Sequence, residues 1–149
     1  MEYAVNEGMD WRAATQEWLE KELQCVVFNP NRESVRFFSK HYPSCNFRSL
    51  KHTDLSQYQT IVSKLVDLDC KEIADRSDFV VCYWDESAMK GAGTKGELTM
   101  AKYFGKPVYL VTSIHHYDIP GWVLGCTTEI FASFETLKGF LLELDERKT

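Results

Sequence analysis

Apolar residues recur with the period of an α-helix in three segments of the chain, Asp10–Leu23, Ser56–Asp75 and Phe134–Leu144. In each segment they fall three and four positions apart, which gives a helix one apolar face and one polar face. Asp10 and Ser56 begin their segments and are residue types that commonly cap helices. The spacing therefore predicts three amphipathic helices.

Short apolar runs predict strands between and after these helices, at Gln24–Phe28, Asp78–Trp84, Val108–Val111 and Thr128–Phe131. A glycine-rich stretch follows the second run, and a short helix over Gly96–Phe104 is predicted after it. Strands that alternate with helices favour a parallel sheet with helical crossovers.

The fold predicted from this order is an α/β fold with a doubly wound, flavodoxin-like or Rossmann-like parallel sheet. Its opening strand is short or missing, because only Met1–Val5 precedes the first helix. Residues 31–55 are polar and rich in aromatic side chains, without a clear period. Such a stretch inside a compact domain is a functional loop or lid, or a helix that the pattern does not reveal.

Composition fits one globular domain over residues 1–149, since the chain is 44% hydrophobic. The net charge of −5 argues against broad binding to nucleic acid or to anionic membranes, although it leaves room for a small local basic patch. The chain has no run of 18 apolar residues and no signal-peptide pattern, so a cytoplasmic location is expected.

Metal and disulfide chemistry are disfavoured by the sequence. The five cysteines lack CxxC spacing and are expected to be free thiols. His115, His116 and Asp118 suggest a metal site, but adjacent histidine side chains are expected to diverge and no further ligand is evident. No metal and no cofactor are therefore predicted.

The stretch Gly93-Thr94-Lys95-Gly96-Glu97 lies between two predicted strands. It should place Glu97 in the first turn of a helix, at the carboxyl edge of the sheet, where ligands of open α/β sheets bind. Helix N–H groups would keep this carboxylate ionised, so that it could attack a substrate, or it could simply cap the helix. Asp69, eight residues after Ile61, falls near the sheet-facing side of its helix, where an unpaired carboxylate is costly.

These motifs, with Gly105-Lys106-Pro107-Val108, Asp10-Trp11-Arg12 and Phe28-Asn29-Pro30, resemble those of the nucleoside 2-deoxyribosyltransferase family and its nucleotide N-glycosidase relatives. The resemblance implies that Glu97 is the catalytic nucleophile and that Asp69 is the counterpart of the helix aspartate that helps the base to leave. It also implies a homo-oligomer and marks Asn29 as a substrate-binding candidate.

The remaining candidates are predicted to bind substrate. Backbone groups of Gly93, Thr94 and Gly96 would approach the substrate closely or hold a phosphate, unless the glycines serve only the turn. Arg12 is a partner for phosphate or sugar, or else an exposed helix arginine.

Three more candidates each have a structural alternative. Trp11 and Trp84 would stack on a base, although aromatic residues at such positions commonly belong to the core. Asp85 follows the strand at the ligand-binding edge and would contact ribose hydroxyls, or else lie in a solvated loop.

The predicted function is cleavage of the N-glycosidic bond of a 2′-deoxynucleoside or its 5′-monophosphate, with transfer to another base or to water. The expected partner is a small nucleoside or nucleotide, with no nucleic acid and no membrane. The alternative is a catalytically inactive module of the same fold that binds a nucleotide or senses a nucleotide signal.

Overall fold

The computed structural model of the protein describes residues 9–149. Met1–Val5, where the opening strand is expected to be short or missing, lies outside that range. The described part of the chain contains three β-strands, β1 (Val80–Tyr83), β2 (Val108–Val111) and β3 (Glu129–Phe131). Its helices are α1 (Met9–Glu22), α2 (Pro30–His41), α3 (Phe47–Thr53), α4 (Leu55–Asp75), α5 (Glu86–Lys90), α6 (Ala92–Tyr103), α7 (Gly121–Cys126) and α8 (Phe134–Glu146).

The strands form a parallel sheet in the order β1-β2-β3 within the described residues. Val80 is aligned with Val108, and Leu110 with Ile130. Parallel neighbours need long connections, and here helices supply them. The predicted α/β class with a parallel sheet is confirmed.

Alternate strand residues enter two separate cores, because successive side chains of a strand point to opposite faces. Cys82, Trp84 and Leu110 pack on one face with α4, α6 and α7. Tyr109 and Val111 pack on the other face with α1 and α8. The sheet is therefore a middle layer between two layers of helices.

The predicted strand at Gln24–Phe28 is wrong, because residues 24–29 carry no strand assignment. The side chain of Val26 is wholly exposed. Within the described residues, β1 is hydrogen-bonded to β2 alone, so Gln24–Phe28 pairs with no strand there. An apolar run becomes a strand only where a neighbouring strand accepts its backbone hydrogen bonds.

Residues 31–55 are mostly helical, since they contain α3 and most of α2. Neither helix has a fully buried residue. Their aromatic rings pack on one another, with the Phe38 and Phe47 ring centroids 4.9 Å apart. Because these rings meet each other and not the main core, the sequence lacks the apolar stripe of a core helix.

Two helix starts differ from the prediction. Asp54, not Ser56, caps α4, since its side chain accepts a hydrogen bond from the Gln57 N–H at 3.0 Å. The helix predicted from Gly96 begins at Ala92 instead. It ends before Gly105, whose φ of 69° suits glycine and turns the chain toward β2.

Candidate functional site

The candidate site lies beside β1, where side chains from both helical layers meet. Asp69 lies one turn before the buried Ile73 of α4, so it faces inward. Glu97 directly precedes the buried Leu98 of α6, and α4 packs against α6. Packing of the two helices thus brings two half-buried carboxyl groups from distant parts of the sequence together.

A groove of about 520 Å³ contains this pair. Six of the ten predicted site residues line it, with contributions from α1, α4, α6 and the loop before α2. They are Trp11, Arg12, Asn29, Asp69, Thr94 and Glu97. The sequence therefore identified much of the groove wall near the carboxyl pair.

Burial raises the pKa of both carboxyl groups. The pKa of Glu97 is raised to about 7, first by burial and then by the negative charge of Asp69. Burial likewise raises the pKa of Asp69 to about 6. The positive charge of Arg12 opposes both shifts. Between about pH 6 and about pH 7 the pair therefore holds about one proton between its two members.

Glu97 lies beyond the first turn of α6, because that helix begins five residues earlier at Ala92. The N–H groups without helical partners belong to the first turn and cannot stabilise its carboxylate. The expectation that the helix terminus keeps Glu97 ionised is therefore wrong.

Arg12 is half-buried in the groove, so the alternative of an exposed helix arginine is wrong. Its guanidinium carbon lies 4.9 Å from the centre of the Trp11 ring. Burial lowers the pKa of Arg12, while the charges of Glu97 and Asp69 act in the opposite direction. Arg12 thus supplies positive charge to the carboxyl pair.

Trp11 belongs both to an aromatic cluster and to the groove wall. Its ring stacks on Phe134, with centroids 5.9 Å apart, and tilts against Tyr83 at 6.0 Å. Its buried indole Nε1 has no hydrogen-bond partner among the described residues. The sequence did not predict that Phe134 contacts Trp11, because the two residues lie far apart along the chain and no local pattern links them. Tyr83 itself lines the groove.

Trp84 is fully buried in the core, and its carbonyl accepts a 2.6 Å hydrogen bond from the Thr112 hydroxyl. The prediction that Trp84 stacks on a base is therefore wrong. Asp85 caps α5 by accepting the Ala88 N–H at 2.8 Å and is not among the residues that line the groove. The predicted ribose contact of Asp85 thus finds no counterpart in the groove.

Asn29 has two structural contacts. Its side-chain oxygen accepts the Asn31 N–H at 3.1 Å and caps α2. Its side-chain amide donates to Gln16 of α1 at 3.0 Å. These contacts fix one wall of the groove.

Gly93 and Gly96 lie inside α6, so the predicted loop around them is wrong. A Cβ added at either position would meet nothing within 4 Å, so neither glycine is required for close packing within the described residues. The N–H groups of Gly93 and Thr94 still belong to the first turn of α6, where anions are favoured.

The described residues contain no group of three side chains arranged to hold a metal ion. The rings of His115 and His116 stack with centroids 4.3 Å apart, contrary to the expected divergence. All five cysteines are free thiols. In residues 9–149, no helix is long and apolar enough to cross a membrane.

No protein-family model, curated protein or solved structure matches this chain. The likeness to nucleoside 2-deoxyribosyltransferases consequently rests on the motif residues alone.

Proposed function

We propose that this protein cleaves the N-glycosidic bond of a 2′-deoxynucleoside or its 5′-monophosphate in the groove beside β1. The observation that carries the proposal is the pair of half-buried carboxyl groups, Asp69 and Glu97, beside Arg12. The proposal takes the sheet to be doubly wound and Rossmann-like, which would put the groove at its ligand-binding edge.

In the proposed reaction, the Glu97 carboxylate attacks the anomeric carbon of the sugar. A C–O bond forms as the C–N bond breaks, and the departing base receives a proton through Asp69. Another base or a water molecule then attacks the same carbon, which breaks the bond to Glu97, and the proton that this nucleophile loses returns to Asp69. The one-proton form of the pair contains both the carboxylate and the acid that this reaction needs.

Burial raises the pKa of both carboxyl groups, so either member of the pair can carry the shared proton. Attack requires the charge on Glu97 and the proton on Asp69, and substrate binding has to favour that arrangement. A pair that keeps its proton on Glu97 would favour the second candidate, an inactive nucleotide-binding module.

The test is chromatographic detection of free base after incubation with deoxynucleosides and their 5′-monophosphates, with and without an acceptor base. We expect release by the wild type and loss of release in Glu97→Gln. We expect Asp69→Asn to slow release by about 10²- to 10⁴-fold, as for loss of a general acid. Glu72→Gln, which removes a groove-lining carboxylate that pairs with Arg76 at 3.7 Å, is the matched control and should keep activity.

Dependence on an acceptor base would distinguish a transferase from a hydrolase. A folded wild type that binds nucleotides but releases no base would support the inactive module. Equal activity in the wild type and Glu97→Gln would exclude the proposed nucleophile.

A further inference from the structure

Basic and acidic residues are unevenly distributed along the chain, which the net charge of −5 does not show. The chain has 17 lysines and arginines and 22 aspartates and glutamates. Residues 30–64 contain six of these basic residues but only two of the acidic ones. We call this segment, which comprises α2, α3 and the first half of α4, the basic arm. The rest of the protein then has eleven basic and twenty acidic residues. A basic arm on an acidic body is suited to a directed contact with an anionic partner.

Three cations of the arm form a row on α2. Arg32, Arg36 and Lys40 are spaced four residues apart, so they share one face and follow one another at about 6 Å along the helix axis. All three are exposed. Arg36 donates to Glu33 at 2.8 Å, and a guanidinium has further N–H donors to offer. We call these three residues the α2 ridge.

Aromatic packing holds the ridge in place. Phe37 and Phe38 of α2 pack against Tyr42, and Phe38 also contacts Phe47 of α3. In turn, the Phe47 ring stacks on Tyr58 of α4 at 4.9 Å. These contacts anchor α2 through α3 to α4, so the ridge is presented on a fixed helix.

The same packing argues against two kinds of anionic partner. A membrane surface needs a broad exposed apolar face, and the large apolar side chains exposed on the arm are Val35 and Leu55, on different helices. Base stacking needs uncovered rings, whereas Tyr58 has Phe47 stacked on it and the Lys51 ammonium 5.8 Å from its centre. Contacts to a repeating series of phosphates require neither feature.

We propose that the α2 ridge binds the phosphate backbone of a single-stranded nucleic acid without reading its bases. Guanidinium and ammonium groups at regular spacing neutralise successive phosphates and release counterions. Glu17 and Glu20 of α1 border the same surface hollow as Arg32, so the acidic body begins at that end of the ridge and limits the strand to the arm. The ridge starts one turn after Asn29, which lines the groove. This inference holds whether or not Glu97 is catalytic.

The test is fluorescence anisotropy with a labelled oligothymidylate of about 12 nucleotides, titrated at salt concentrations from about 20 to 150 mM. Each phosphate contact on a single strand contributes about 0.7 to the slope of log Kd against log salt. The triple variant Arg32→Gln, Arg36→Gln, Lys40→Gln should therefore reduce that slope by about 2. We also expect its affinity at low salt to fall about tenfold or more.

The matched control is the triple variant Lys90→Gln, Lys102→Gln, Arg147→Gln. It changes the net charge by the same amount as the ridge variant, but it alters exposed cations of the acidic body. It should therefore keep the wild-type slope of log Kd against log salt. Circular dichroism checks the folding of both variants. If the ridge variant is unfolded, the single variants Arg32→Gln and Lys40→Gln should each reduce the slope by about 0.7.

Several results would overturn the proposal. The first is a wild type that does not bind the oligonucleotide, and the second is an equal loss of affinity in the two triple variants. The third is a more than tenfold difference in affinity between oligothymidylate and oligoadenylate. Tighter binding of polyglutamate would indicate an acidic protein partner instead. Tighter binding of vesicles rich in phosphatidylserine would indicate a membrane surface.

Discussion

Glu97 illustrates how one residue's chemistry depends on its helix position. Its motif suggested a first-turn carboxylate that helix N–H groups keep ionised, but α6 begins at Ala92 and leaves Glu97 one turn further in. Burial and the charge of Asp69 then dominate, and the pKa of Glu97 is raised to about 7. A carboxyl group in this environment is as well suited to carrying a proton as to attacking a carbon.

The proton shared by Asp69 and Glu97 predicts a narrow pH optimum for base release. Activity needs one carboxylate and one acid, so we expect it to decline below about pH 6 and above about pH 7. The dependence of kcat/KM on pH measures both limits, which belong to the pair as a unit. A rate that is constant from pH 5 to about pH 8 would exclude the shared-proton mechanism.

Arg12 offers a test of the pair that does not require activity. Its positive charge lowers the pKa of both Asp69 and Glu97, so Arg12→Gln should raise both pKa values. We expect a rise of about one unit, measured by NMR titration of the side-chain carboxyl carbons. Arg76→Gln is the control, because Arg76 follows the last residue of α4, seven residues beyond Asp69 and roughly 10 Å along the helix axis. Equal shifts in the two variants would show that Arg12 has no special contact with the pair.

At the scale of elements, hydrophobic periodicity was informative wherever an element packs on the main cores. The predicted helices correspond to α1, α4 and α8, and three of the four predicted strands correspond to β1, β2 and β3. Periodicity failed for α2 and α3, whose aromatic rings form their own cluster. It also failed at Gln24–Phe28, since an apolar run does not reveal whether a strand lies beside it.

Residues of the candidate site could also be predicted only where a local sequence pattern fixes their position. Asp69 could be located because it continues the helical spacing of Ile61. Trp84 was misassigned because a strand end looks alike in sequence whether its side chain enters the core or the groove. No local sequence pattern predicts the contact between Trp11 and Phe134, because this contact depends on how α1 and α8 pack together.

Helix capping gives a test at this scale. The Asp54 side chain accepts the Gln57 N–H, whereas Ser56 lies inside α4. We expect Asp54→Ala to lower the free energy of unfolding by about 1 kcal/mol and Ser56→Ala to change it by much less. Urea denaturation of both variants measures the difference. A larger loss from Ser56→Ala would place the start of α4 at the position that the sequence suggested.

For the whole molecule, two cores share one sheet, and the groove lies where their helical layers meet beside β1. Arg12 comes from α1, in the layer that includes Leu19, while Asp69 and Glu97 come from the opposite layer. Neither layer alone assembles the site. Stability and the ionisation of the site are therefore linked through the packing of both layers.

This linkage gives the protein a distinctive dependence of stability on pH. The folded-state pKa values of Glu97 and Asp69 are raised, to about 7 and about 6, above ordinary values of 4.5 and 3.8. At these two groups the folded protein binds more protons than the unfolded chain in this window, so their contribution to the free energy of unfolding falls as pH rises from about 4 to about 7. Glu97→Gln removes one of these titrations, so at pH 8 it should exceed the wild type in stability by on the order of 2 kcal/mol. Urea denaturation across this pH range measures the effect, with Glu143→Gln on α8 as the control that should keep the wild-type fall. An equal change in stability between pH 4 and about pH 8 in the wild type and in Glu97→Gln would exclude a raised pKa for Glu97.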